Sequence, residues 1–368
     1  MSEENIRILQ ILPGGHVCGG IEFFVMNYYR EMVKLGVQFD FLVHYKQKGY
    51  FDDEIKKLGG RIYYFSVRED KNVIRYIYQL CKFFYKHKEY KIIHGHMPGM
   101  APIYFGVAKL LGIKHRISHC HVTETENTLK GKILKKIIKI IPYFSNIYFA
   151  CSREAGYFMY KEKIFDIIHN AINTKSFIFD KNKRENLRKM LNIEDDFVIG
   201  HVGRFNLQKN HEFLIKIFSE VYLINNKVKL LLIGEGPLEN EIKEQVKKLG
   251  LEKNVIFLGV RNDVKDLYNV MDCFVLPSLF EGLPIVGVEA QASGLPCYFS
   301  KNITEEIGIT QLANFISLNK SPKFWAKKIM KDNIFERNNM LKDILKAGYD
   351  IEYEVKRLEK IYMNLLKE

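Results

Sequence analysis

The stretch Cys273–Ser300, CFVLPSLFEGLPIVGVEAQASGLPCYFS, decides how the rest of the chain is read. Its apolar run from Cys273 to Leu276 predicts a strand that breaks at Pro277. After a loop carrying Glu281 and Gly282, the segment from about Pro284 to Ser293 has a helical pattern, and Gly294 with Pro296 stops it before a second strand. Repeated units of strand, loop, helix and strand build mostly parallel sheets covered by helices. Glu281 falls where loop meets helix, and Glu289 follows eight positions later. Two carboxylates so spaced lie about 12 Å apart if both are helical, which suits the two ends of one elongated polar ligand better than a shared proton. The free N–H groups of the helix start suit a phosphate. The plainer alternative has Glu281 as a helix cap and Glu289 facing solvent.

A chain of 368 residues with 47% apolar content is fully folded and long enough for two cores. Its formal charge of +13 favours anionic partners: nucleotides, nucleic acid or an acidic membrane surface. No recurring aromatic and basic pattern points to nucleic acid. Cysteines at 18, 81, 120, 151, 273 and 297 form no metal knuckle or redox pair, as expected in a reducing cytoplasm. The opening MSEENIRILQILPGG lacks the basic start and apolar core of a signal peptide, and no apolar run reaches membrane-spanning length.

From the N-terminus, Ile6–Leu12 predicts a strand, followed by Pro13-Gly14-Gly15, then Gly19-Gly20-Ile21-Glu22 and a helix from Phe23 to Leu35. Gly19 and Gly20 either let backbone approach a phosphate or sugar or simply make a tight turn. The GxGxxG spacing of a dinucleotide site is absent. Strands are predicted at Gln38–His44 and Arg61–Phe65, with helices at Tyr50–Leu58 and Val73–Tyr85. A strand ending in His94-Gly95-His96 and another running from Lys114 into His119-Cys120-His121 put four histidines at strand ends, where open α/β sheets bind ligands. No carboxylate-supported pattern makes them a metal site. Lys130–Tyr143, with lysines at 130, 132, 135, 136 and 139 among isoleucines, fits either a helix on an anionic membrane or one that packs internally with a solvated lysine face. Strands at Ile147–Cys151 and Ile164–His169 close the first half.

The polar interval Asp180–Asn192 separates a second α/β series, with the boundary near residue 172. Strand Phe197–Val202 runs into Gly203-Arg204-Phe205-Asn206-Leu207-Gln208-Lys209-Asn210, where Arg204 and Lys209 could clamp a diphosphate or lie solvated on the surface. Strand Lys229–Ile233 ends at Gly234-Glu235-Gly236-Pro237, and strand Val255–Leu258 at Gly259-Val260. Helices are predicted over Ala326–Ala347 and Ile351–Leu366, with Trp325 as a packing residue.

In combination and order, HVGRFNLQKN, GEGPL, EGLPIVGVEA, the N-terminal GGIE and the HGH and CHVTE loops resemble the retaining glycosyltransferases of family 4, and most closely the type that builds bacterial capsular and extracellular polysaccharide. The resemblance spans essentially the whole chain. It implies an α/β GT-B fold with two Rossmann-like domains facing across a cleft. Residues 1–171, joined by the closing helix 351–368, would bind the acceptor, and residues 172–350 the nucleotide-sugar donor. By the same resemblance Arg204 and Lys209 hold the donor diphosphate, supplemented by amides near Ile285 and Val286. Glu281, beside Gly282 and Leu283, contacts the transferred sugar, and Glu289 binds the ribose. Gly234 belongs to the glycine-rich donor loop, Val260 to the nucleobase wall, His121 to the reaction centre, and Gly19 and Gly20 approach phosphate or acceptor. Ala171 stands where the family commonly has glycine.

The implied activity is metal-independent hexosyl or N-acetylhexosaminyl transfer, with no cofactor and a UDP-linked sugar as co-substrate. Fixed cations and amides would stabilise charge developing on the leaving phosphate. The acceptor hydroxyl would attack from the leaving-group face without a covalent glycosyl-enzyme. The implied partners are a lipid-diphosphate-linked saccharide and the anionic cytoplasmic face of the cell membrane. Two alternatives stand beside this: a nucleotide-sugar epimerase of the same fold, and a non-enzymatic protein that binds anionic ligands.

Overall fold

The computed structural model describes residues 6–14, 19–125, 127–331 and 337–368; Gly15 and Cys18 of the first loop lie outside them. The chain divides into two compact units, one of Met1–Ala171 with Ile351–Glu368 and one of Ile172–Asp350. No helix of the described residues is long and apolar enough to cross a membrane.

The first unit is a seven-stranded sheet made of β1 (Ile6–Leu12), β2 (Val37–Val43), β3 (Ile62–Tyr64), β4 (Ile92–Gly95), β5 (His115–Cys120), β6 (Ile147–Ala150) and β7 (Asp166–Ile167). The strands are parallel and ordered β3-β2-β1-β4-β5-β6-β7, so the order reverses between β1 and β4. Strands covered by helices on both faces bury continuous apolar runs, and Ile8, Leu9, Ile11, Phe39, Phe41, Ile92, Ile93, Ile117 and Phe149 form that core. Inside it, Asp40 accepts two bonds from Arg7, at 2.5 and 2.6 Å, and one from Tyr90 at 2.7 Å. The helix Ile351–Lys367 packs on the helix Gly20–Met32, and its Glu354 pairs with Arg357 at 2.9 Å.

The second unit is a six-stranded parallel sheet of β8 (Phe197–Val202), β9 (Val228–Ile233), β10 (Val255–Gly259), β11 (Cys273–Leu276), β12 (Cys297–Ser300) and β13 (Ala313–Ile316). Its order β10-β9-β8-β11-β12-β13 is Rossmann-like, with the switch point between β8 and β11. Ile199, Leu230, Leu232, Val275 and Phe218 fill the core together with Trp325, whose indole N–H donates to Ser317 O at 3.2 Å.

Several expected elements are corrected. The polar interval Asp180–Asn192 contains a helix, Lys181–Leu191, started by Asp180, whose side chain accepts from Lys183 N–H. Its arginines account for it: Arg184 and Arg188 grip Asp272 at 2.5 Å each, and Arg184 also bonds three carbonyls, of Asn269, Val270 and Met271. The helix Gly20–Met32 begins three residues earlier than its apolar pattern, because Glu22 caps it by accepting Gly19 N–H at 3.1 Å. The strand expected at Ile164–His169 shrinks to β7, which pairs only with β6 at the sheet edge. β13 was not anticipated. The single helix expected over Ala326–Ala347 is replaced by the helices Pro322–Lys331 and Leu341–Lys346; residues 332–336 lie outside the described residues.

Candidate functional site

In the second unit the loops leaving β8 and β11 are stitched together across the switch point. Leu279 N–H donates to Gln208 O at 2.8 Å, Asn210 Nδ2 to Pro277 O at 3.1 Å, and Gln208 Nε2 to Phe280 O at 3.0 Å. These bonds bring two of the predicted residues together. Lys209 Nζ meets Glu281 Oε1 at 2.6 Å, and Gln208 Nε2 donates to Glu281 Oε2 at 3.1 Å. Glu281 lies in the loop rather than the helix and is only 7% exposed. Arg204 stands exposed beside this pair in sequence, and its side chain has no hydrogen bond or ion pair among the described residues.

Two glycine-rich loops pack backbone to backbone around this point. Gly234 has φ +134, and a Cβ there would be driven into Gly203 O. A Cβ at Gly203 would in turn press to 3.1 Å from the Lys209 stem. The glycines therefore let the ends of β8 and β9 close up and give Lys209 its path toward Glu281. Val260 is exposed just beyond β10.

The helix Ile285–Ala292 starts at Ile285 with Pro284 as its cap residue and no side-chain cap. Gly282, Leu283 and Ile285 are buried, while Val286 is partly exposed. Gly287 N–H is used by Pro284 O, leaving the Ile285 and Val286 amides as the orphan donors of a helix start. Glu289 lies one turn further on. Burial pushes its carboxyl up to about 7, against the opposing pull of Tyr268 O–H, which donates to it at 2.8 Å.

In the first unit the predicted residues cluster at the ends of β1, β4 and β5. Gly19 is engaged in capping, whereas Gly20 is exposed and a Cβ there would meet nothing within 4 Å. His94, His96 and His119 bring ligand atoms within 4.8 Å of one another. His121 joins them through His96 Nδ1 at 2.9 Å. Burial lowers the pKa of all four, that of His121 to about 3, so the cluster is neutral at pH 7. The helix Leu129–Ile140 buries Gly131 and Ile138 inward. Leu129, Ile133 and Ile140 stay exposed with Lys136 along one face, and Lys135 pairs with Glu124 at 2.8 Å.

Against this geometry, a family model described as "Glycosyl transferases group 1" matches residues 182–343. The chain is 32% identical over 375 residues to EpsF of Bacillus subtilis (strain 168), a glycosyltransferase by name, covering 98% of this chain and 97% of that protein. The chain belongs to the group 1 glycosyltransferases. It is also 28% identical to the Escherichia coli UDP-Gal:alpha-D-GlcNAc-diphosphoundecaprenol alpha-1,3-galactosyltransferase, over 72% of each chain. Among solved structures it is similar to Anabaena Alr3699/HepE in complex with UDP and glucose, with a TM-score of 0.81 at 16% identity, covering 98% of this chain and all of that one. The likeness identifies the fold as GT-B, built on two Rossmann-like units.

Three parts of these candidate clusters escaped sequence reasoning. Gln208 was open to discovery, since it adjoins Lys209 in the same loop. Tyr268 sits on a short helix, Val264–Val270, with nothing local to mark it as the partner of Glu289. Gln10 and Tyr362, which bracket the histidines, are 352 residues apart and meet only in the folded unit.

Proposed function

We propose that this glycosyltransferase moves a hexose or N-acetylhexosamine, with retention of anomeric configuration, from a UDP-linked donor to a lipid-diphosphate-linked saccharide during polysaccharide synthesis. The observation that carries the donor half is the Lys209–Glu281 pair held between the loops of β8 and β11 at the sheet's switch point. Lys209 and the free Arg204 guanidinium are the cations for a diphosphate, and the Ile285 and Val286 amides add N–H donors. Together they would take over the charge stabilisation that other transferases obtain from a divalent metal. Glu281 would orient the transferred sugar and Glu289 the ribose. The UDP bound by the Anabaena structure and the undecaprenyl-diphosphate acceptor named for the E. coli relative support the choice of donor base and acceptor class.

In this reading residues 172–350 form the donor domain, and residues 1–171 with 351–368 serve the acceptor. His121 stands beside the transferred sugar, and Gly20 leaves room for a ligand to approach the backbone. The exposed Leu129, Ile133 and Ile140 beside lysines favour peripheral contact with the anionic cytoplasmic membrane face. Sedimentation with anionic liposomes should weaken when Lys130, Lys132, Lys136 and Lys139 are neutralised; unchanged binding rejects that helix as the anchor.

The donor reading is tested by thermal shift with UDP, GDP, ADP and their sugar conjugates. Selective stabilisation by the UDP series is expected, and Lys209→Ala and Glu281→Ala should each abolish transfer in a product assay. Near-normal transfer by both variants would remove those roles, and donor conversion without any acceptor would point to epimerisation instead.

A further inference from the structure

The histidines ending β4 and β5 belong to one continuous hydrogen-bonded chain whose polarity is set at Gln10. A carboxamide oxygen only accepts and its nitrogen only donates. His96 Nε2 lies 2.9 Å from Gln10 Oε1, so Nε2 carries the hydrogen. A neutral His96 then has a bare Nδ1, which accepts from His121 Nε2 at 2.9 Å. At the other end Gln10 Nε2 donates to Tyr362 Oη at 3.4 Å, which turns the tyrosine O–H toward His94 Nδ1 at 2.7 Å. His94 Nε2–H finally donates to His119 Nδ1 at 3.1 Å. Every bond points the same way: His121 to His96, Gln10, Tyr362, His94 and His119.

The His94 and His119 rings are inclined by 9° with centroids 5.2 Å apart, and His94 Nε2 and His119 Nδ1 lie 3.1 Å from each other, at hydrogen-bond distance.

We propose that Gln10, His96 and Tyr362 are positioning residues that hold His121 as its Nε2–H tautomer, so that the unprotonated Nδ1 is the atom offered to a sugar hydroxyl as a hydrogen-bond acceptor. This rests on the reading of His121 as a group beside the transferred sugar. A hydroxyl donates into Nδ1 and is oriented by it, whereas the other tautomer would present an N–H and select for an acceptor atom instead. Gln10 and Tyr362 are 1% and 0% exposed, so neither touches substrate, and each acts only through the chain.

The test is the long-range ¹H–¹⁵N spectrum of the full chain labelled at histidine, with the His121 signals assigned by difference against His121→Ala. The wild type should show His121 protonated at Nε2 alone, unchanged from pH 8 to 6. Gln10→Leu keeps the volume but removes the acceptor for His96, so the His121 tautomer should become mixed and kcat should fall about tenfold with donor KM unchanged. Gln10→Glu still offers an oxygen to His96 Nε2–H and should restore the wild-type tautomer and most of kcat, which a purely structural role for Gln10 does not require. A wild-type His121 protonated at Nδ1, or a tautomer untouched by Gln10→Leu, overturns the proposal. The spectrum needs no substrate, so failure of the wild type to transfer from any nucleotide sugar counts against the donor reading, not against the tautomer.

Discussion

Replacing Glu289 by glutamine should change how stability depends on pH, in a direction the structure dictates. Burial carries this carboxyl from 4.5 to about 7, so between those values the folded protein holds a proton that the unfolded chain has released. The stabilisation linked to that proton is complete below the unfolded value, declines as pH rises, and is gone above about 7. The range corresponds to roughly 3 kcal/mol, an upper bound because Glu289 is partly exposed and water screens it. Glutamine does not titrate, so relative to wild type Glu289→Gln should gain stability from pH 5 to pH 8, by about 6–10 °C in Tm at most. Thermal melts of both proteins at half-unit pH steps check this. Trends shared by the two proteins, including that of the buried histidines, cancel in the difference. Parallel curves for wild type and variant would refute the placement of Glu289 in a largely desolvated, Tyr268-bonded site. Ligand adds a second reading: ribose hydroxyls donate to the ionised carboxylate, so UDP should stabilise the wild type increasingly as pH passes 7 and the variant equally at all pH values.

Lys209→Met should cost about 3 kcal/mol in urea unfolding by leaving Glu281 buried without its cation, and adding Glu281→Gln should recover most of it; additive losses would show that the pair is not coupled. Gly234→Ala, forced to φ +134 and into Gly203 O, should destabilise by roughly 2–4 kcal/mol. Gly20→Ala, where a Cβ meets open space, should melt near the wild type while transfer falls; equal melting of the two variants would refute the close packing of the β8 and β9 loops. Burial lowers the pKa of His44, His94, His96, His119, His121, His201 and His211, so the unfolded chain takes up protons as pH falls below about 6.5 and the folded state does not. Stability should therefore drop from pH 7 to pH 5 despite the opposite contribution of Glu289, and a flat Tm over that range would contradict their neutrality.

Much of this protein was legible in the order of its residues. Alternation of short apolar strands with helical patterns is a local signal, and it sufficed for two parallel sheets; the GT-B fold was implied by the resemblance of the strand-end motifs to a known family. The strand-end loops could be read for the same reason, because glycine, proline and charged residues punctuate them in sequence. Local signals failed where a contact distant in sequence set the outcome. The helix Lys181–Leu191 reads as a polar spacer until Asp272 and the carbonyls of residues 269–271 supply partners for its arginines.

The sequence by itself thus determined which side chains stand in the loops at strand ends, Arg204, Lys209 and Glu281 in one unit and the four histidines in the other, and that Glu289 lies on the helix that follows Glu281. Only the tertiary structure decided their chemical state. Glu281 faces Lys209 because the loops of β8 and β11 are neighbours across the switch point, 72 residues apart in the chain. Glu289 holds its proton to about 7 because folding strips water from it, against the opposing pull of the Tyr268 hydrogen bond. The tautomer of His121 follows from an amide on β1 and a tyrosine on the closing helix, since hydrogen-bond direction is a property of the closed chain of donors and acceptors and not of any one residue.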